Sequence, residues 1–102
     1  MLSYNQIINK IDQLEEANIL LSALELRVFS ILEKKSMSAK QVANDIKVKL
    51  EGAEVLLNAL TAMGVLTKNT NGYKNTHVTY KYFCESSPDF KKGTVMLKMD
   101  GR

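Results

Sequence analysis

Apolar positions recur with a helical period at the start of the chain. Tyr4, Ile7, Ile8, Ile11 and Leu14 fall on one face, with Asn9, Lys10, Asp12, Gln13, Glu15 and Glu16 on the others. Ser3 and Gln6 stand at the S-x-x-Q spacing of a capping box, in which each side chain meets a free backbone N–H of the other residue. The spacing predicts a helix from Tyr4. From Ile19 to Leu32 the pattern changes. Ile19, Leu20, Leu21, Leu24, Leu26, Val28, Phe29, Ile31 and Leu32 cover nearly the whole circumference, which predicts a helical segment buried on every side until the polar run EKKS ends it.

A second capping box follows at Ser38 and Gln41, with Met37 and Val42 at the two positions of a hydrophobic staple. It predicts a helix from about Ala39 to Ile46. A third helix is expected from about Glu51 to Met63, its ridge made of Leu56, Leu57, Leu60 and Met63. Gly64 suits the left-handed residue that closes a helix, with Val65 folding back on Leu60. In VLTKNTNGYKNT two short strands flank NTNG, whose Asn and Gly tolerate the positive φ of a tight hairpin. Thr76 caps a short helix carrying Tyr80, Tyr82 and Phe83. Ser87-Pro88-Asp89 has the capping serine, first-position proline and early acid that open a last helix. The order is that of a mainly α fold with a small β-hairpin, a winged helix-turn-helix with flanking helices.

Composition narrows the class. A chain of 102 residues makes one small domain, and 45% hydrophobic with 25% charged residues is the balance of a globular protein. ILLSALELRVFSIL is interrupted by Ser22, Glu25, Arg27 and Ser30, so no transmembrane helix is expected. MLSYNQIINK lacks the parts of a signal peptide. With one cysteine, Cys84, no internal disulfide forms, and the expected location is the cytoplasm. The net charge of +3 permits an anionic partner without demanding one.

The search for chemistry is short. His77 and Cys84 are single in the sequence, so the chain alone builds no His/Cys metal cluster. Seven residues apart near a short helix, they offer a Cys–His nucleophile pair as the lesser reading; the leading one is a surface histidine beside the wing and a half-buried thiol. The five glycines are scattered and form no phosphate loop, and Glu15–Glu16 and Glu51–Glu54 read as solvated faces. No catalytic, cofactor-binding or metal residue is assigned in this chain. Met96 and Met99 either line a soft apolar pocket or pack against a neighbour.

Apolar residues at both ends exceed what a small monomer buries, which points to a homodimer through Ile7, Ile8, Ile11 and Leu14 in the first helix and Phe90, Met96 and Leu97 in the last. The third helix, EGAEVLLNALTAM, holds Glu51 and Glu54 and no Lys or Arg. It lacks the cations and most of the amides with which a recognition helix reads DNA, so no specific nucleic acid partner and no membrane partner are expected.

Three pieces in this order, ALELRVFSILEKKSMSAKQVANDI, LLNALTAMGVLTKNTNGYKNT and SPDF, resemble the N-terminal dimerisation domain of the S-adenosylmethionine-dependent O-methyltransferases. That family includes the plant caffeate and acetylserotonin types and bacterial natural-product relatives. The resemblance runs from about Ala23 to Phe90, with Lys49-Leu50 where the family often has Asp-Pro, and His77 where it has Pro. It implies a winged-helix dimerisation domain over residues 1–87, and residues 88–102 as the start of a connecting helix toward a catalytic domain absent from this chain. It also implies a substrate-pocket wall, to which Met96 and Met99 are assigned. S-adenosylmethionine and a small-molecule methyl acceptor are expected for the full-length protein only. The rival readings are a free-standing dimeric winged-helix transcription regulator and a purely structural interaction module.

Overall fold

The computed structural model describes residues 1–100, with side chains as far as Met96. The Gln6 N–H donates to Ser3 Oγ at 3.2 Å and the Ser3 N–H to Gln6 Oε1 at 2.9 Å, closing the capping box. Helix α1 then runs 22 residues, Tyr4–Glu25. It stops where the apolar pattern predicts continuation to Leu32. Arg27 takes a left-handed backbone, φ 61°, and a separate short helix α2 (Val28–Leu32) begins. A straight helix would carry its apolar circumference away from the domain. The bend instead lays Val28, Phe29 and Leu32 into the core beside Ala23. Ile19, Leu20, Leu21 and Leu24, expected to be enclosed, are only half-buried because they stay on the departing α1.

Helix α3 (Ala39–Ile46) starts from the Ser38–Gln41 box, and the staple residues Met37 and Val42 are both buried. Helix α4 (Leu50–Ala62) follows Lys49, which offers no capping side chain. Its end is a full Schellman motif. Gly64 sits at φ 82°, its N–H donates to Thr61 O at 3.0 Å, and the Val65 N–H reaches Leu60 O at 3.1 Å.

Strands β1 (Leu66–Asn69) and β2 (Gly72–Asn75) pair antiparallel, with Thr67 opposite Lys74 and Lys68 opposite Tyr73. In this hairpin only Gly72 needs positive φ, at 128°, and the asparagines do not share it. Gly72 is required for a second reason: a Cβ there would fall 2.2 Å from the Met37 carbonyl oxygen. The contact arises because Met37 and Tyr73 exchange both backbone hydrogen bonds, at 2.9 and 2.7 Å, which stitches the wing to the strand-like entry of α3.

Thr76 and Thr79 form a third reciprocal cap, for α5 (His77–Phe83). Helix α6 (Lys92–Asp100) begins later than Ser87-Pro88-Asp89 predicts. Ser87 is buried and spends its hydroxyl on Lys81 O at 2.7 Å. Its N–H goes to Cys84 O, and the Lys91 N–H goes to Tyr82 O, so the segment straps onto α5 as a turn. The fold is mainly α with one hairpin, a winged helix-turn-helix around Leu32, Val42, Leu57, Leu60 and Leu66, flanked by α1 and α6, which pack on each other.

Candidate functional site

Two features stand out from this frame, an arm and a pocket. Every residue of α1 from Tyr4 to Asn18 is exposed, so the first four turns of the helix leave the globule with Tyr4, Ile7, Ile8, Ile11 and Leu14 in solvent. Ile11, at 47% exposure, is typical of this stripe. The chain exposes 6889 Å², where a folded monomer of this size exposes roughly 5800 Å². The excess of roughly 1000 Å² is close to the ~800 Å² that each partner buries in a standard interface.

The pocket lies at the root of the arm, where α1, α2, α5 and α6 meet, and holds about 530 Å³. Leu24, Phe29, Phe83, Phe90, Val95 and Met96 supply its apolar lining, with Glu25, Arg27, Glu85 and Lys92 at its polar edge. Phe29 and Phe83 stack at a tilt, ring centroids 5.9 Å apart. Arg27 pairs with Glu85, whose N–H donates to Ser30 Oγ at 3.1 Å, so α2 and the end of α5 are tied across the pocket edge.

Of the residues singled out in the sequence, Ile7, Ile8, Ile11 and Leu14 share the exposed arm, and Phe90 sits away from them beside Met96 in the pocket wall. The side chains of Leu97 and Met99 lie outside the described residues. Sequence reasoning missed Phe29, Phe83 and the Arg27–Glu85 pair. The pair spans 58 residues of sequence, and no local spacing announces it. Cys84 is completely buried rather than half-buried, its Sγ 3.1 Å from Ser86 Oγ. It stands at the opposite end of α5 from the exposed His77, so the two make no nucleophile pair. Among the described residues no group of three or more His, Cys, Asp or Glu is placed to hold a metal ion, and no helix is long and apolar enough to cross a membrane.

On the helix where a DNA reader would place its contacts, Asn58 accepts a hydrogen bond from the Tyr73 hydroxyl through Oδ1. The carbonyl end of the only amide of α4 is thereby held by the wing.

Known proteins share this fold. The model of the O-methyltransferase dimerisation domain family matches residues 9–84. A 3-hydroxy-5-methyl-1-naphthoate 3-O-methyltransferase of Streptomyces sahachiroi is 32% identical over 78 residues, 76% of this chain and 23% of that enzyme. Among solved structures, an O-methyltransferase family protein from Burkholderia thailandensis superposes with a TM-score of 0.84 at 27% identity, over 98% of this chain and 31% of its own. Human N-acetylserotonin methyltransferase in complex with S-adenosylmethionine gives 0.82 at 27% identity, over 97% and 30%. The chain thus spans under a third of each of these relatives. From residue 9 to residue 84 it belongs to the O-methyltransferase dimerisation domain family.

Proposed function

We propose that the chain is the homodimerising, substrate-wall domain of an S-adenosylmethionine-dependent O-methyltransferase acting on a small molecule in the cytoplasm. The observation that carries the dimer is the exposed apolar stripe of α1, which nothing among the described residues covers. Phe90 and Met96, beside Phe29 and Phe83, are the wall surface that a catalytic domain would close over an acceptor. Residues 1–87 form the dimerisation unit, and the segment from Pro88 through α6 leads toward that domain.

The methyl donor does not fit this chain. A Rossmann-type adenosyl site needs a glycine-rich turn after a strand and an acidic ribose partner, and the glycines here are scattered. The donor, and the chemistry it supplies, are therefore assigned to residues outside the chain. The regulator reading is disfavoured because α4 presents Glu51 and Glu54 and its one amide is already bonded to Tyr73.

Light scattering at ~100 μM is expected to give the dimer mass, and a monomer mass refutes the reading. Calorimetric titration of the isolated chain with S-adenosylmethionine is expected to show no dissociation constant below roughly 100 μM, about −5.5 kcal/mol.

A further inference from the structure

We infer that the α1 arm of one copy is received by its partner in the groove between α1 and α4, which makes Val55 an interface residue. The inference rests on the dimer reading above and adds which surface takes the arm.

Helix α1 is unbroken from Tyr4 to Glu25, so its faces follow from 3.6 residues per turn. Tyr4, Ile7 and Ile11 lie on the same side as Asn18 and Ser22. Leu20 and Leu24 point the other way, toward Phe29 and Phe83. The arm's stripe therefore does not run into the aromatic pocket. It runs into a second groove of about 480 Å³, where Asn18, Ile19 and Ser22 face Gly52, Val55 and Ala59 of α4.

That groove is built for a close neighbour. Val55 is 71% exposed, although an apolar β-branched residue gains nothing on the open face of a helix. Gly52 leaves its floor open, since a Cβ there would meet nothing within 4 Å. Arm and groove are thus one continuous apolar patch on one side of α1.

A two-fold dimer must use the same patch on both copies. Two antiparallel α1 helices crossing near Leu14 bring Ile11 and Ile7 level with the partner's Asn18 and Ser22, where the groove lies. The surface excess derived above is of the size such an interface removes. Charge adds a second mark. Helix α1 carries Asp12, Glu15, Glu16 and Glu25 against Lys10, and Glu51 edges the groove. Two acidic faces meet, so salt screens a repulsion and tightens the dimer, opposite to the behaviour of a complex with a polyanion.

Sedimentation equilibrium of the whole chain tests this with Ile11→Glu, Val55→Glu and, as a control on an exposed apolar residue of α5, Val78→Glu. All three positions are exposed, so no variant opens the core, and Ile11→Glu and Val55→Glu lose in melting temperature only the share that dimerisation supplies. We expect Ile11→Glu and Val55→Glu each to weaken the dimer at least tenfold and Val78→Glu to leave it unchanged. Oxidising a mixture of Ile11→Cys and Val55→Cys chains is expected to give a cross-linked pair, with Cys84 buried and silent. If Val55→Glu dimerises like the parent while Ile11→Glu does not, or if a dimer forms without the mixed cross-link, the groove does not receive the arm and the dimer reading stands. If the parent chain is monomeric at ~100 μM, the dimer reading itself fails.

Discussion

Asn75 Nδ2 donates to the Glu33 carbonyl oxygen at 2.9 Å, joining the end of the wing to the exit of α2. The same nitrogen donates to Phe29 O at 2.9 Å, and Asn75 Oδ1 accepts from Thr79 Oγ1 at 3.2 Å. One side chain, 6% exposed, therefore binds α2, β2 and α5 together. Asn75→Leu leaves the Glu33 carbonyl without this donor and the Phe29 carbonyl with only the Glu33 N–H at 3.3 Å, while the Thr79 hydroxyl keeps Val65 O, at about 1–3 kcal/mol for each group left unsatisfied. The expected loss is on the order of 3 kcal/mol in urea unfolding followed by circular dichroism. Asn75→Asp, which sets a carboxylate against two carbonyl oxygens, costs at least as much.

Glu33 itself is strained. Its backbone sits at φ 52°, ψ −127°, a region that costs a residue with a Cβ of order 1–3 kcal/mol. Its side chain meets only Lys35, in an exposed pair worth little. Glu33→Gly relieves the strain and gives part of the gain back in unfolded-chain entropy. A net stabilisation of about 1 kcal/mol is expected, read as a rise in Tm of about 4–8 °C.

No duplex DNA is expected to bind usefully. Helix α4 offers no cation to phosphates, and freeing Asn58 from Tyr73 would cost a hydrogen bond. Lys47, Lys49, Lys68 and Lys74 remain for weak, salt-sensitive association. Fluorescence anisotropy with random and genomic duplexes is expected to show nothing tighter than ~10 μM at ~150 mM salt, against the ~10⁻⁸ M of specific readers. A sequence-dependent submicromolar complex would favour the regulator.

Under the proposed function, Phe90→Ala and Met96→Ala in a full-length O-methyltransferase remove apolar wall rather than reacting groups. Contacts made equally to substrate and transition state change KM and leave kcat alone. Each substitution is expected to raise the KM for the acceptor roughly 5–30-fold, from about 1–2 kcal/mol of lost burial. A fall in kcat at constant KM would place these residues elsewhere.

How much of this was written in the chain depends on the range of the interaction. The caps at Ser3, Ser38 and Thr76, the Schellman end at Gly64 and the hairpin are decided within a few residues, and their sequence spacing predicts each of them. The break at Arg27 is different. No glycine or proline marks it, and it is imposed by the burial of Val28, Phe29 and Leu32. Ser87 likewise has the signature of a helix cap, yet its hydroxyl is drawn to Lys81 O by the return of the chain over α5. For the candidate site, the arm was legible as an amphipathic stripe. The pocket was not, because Phe29, Phe83 and Phe90 come together only through tertiary packing.

In the proposed dimer, the solvent-exposed arm also makes secondary structure a function of concentration. The residues from Tyr4 to Glu16 are all exposed, and a free helix of that length is marginal in water. At high dilution the arm frays from its free end and the far-ultraviolet helical signal falls, while the packed winged-helix core stays folded. Assembly and helix formation in this segment are then one equilibrium.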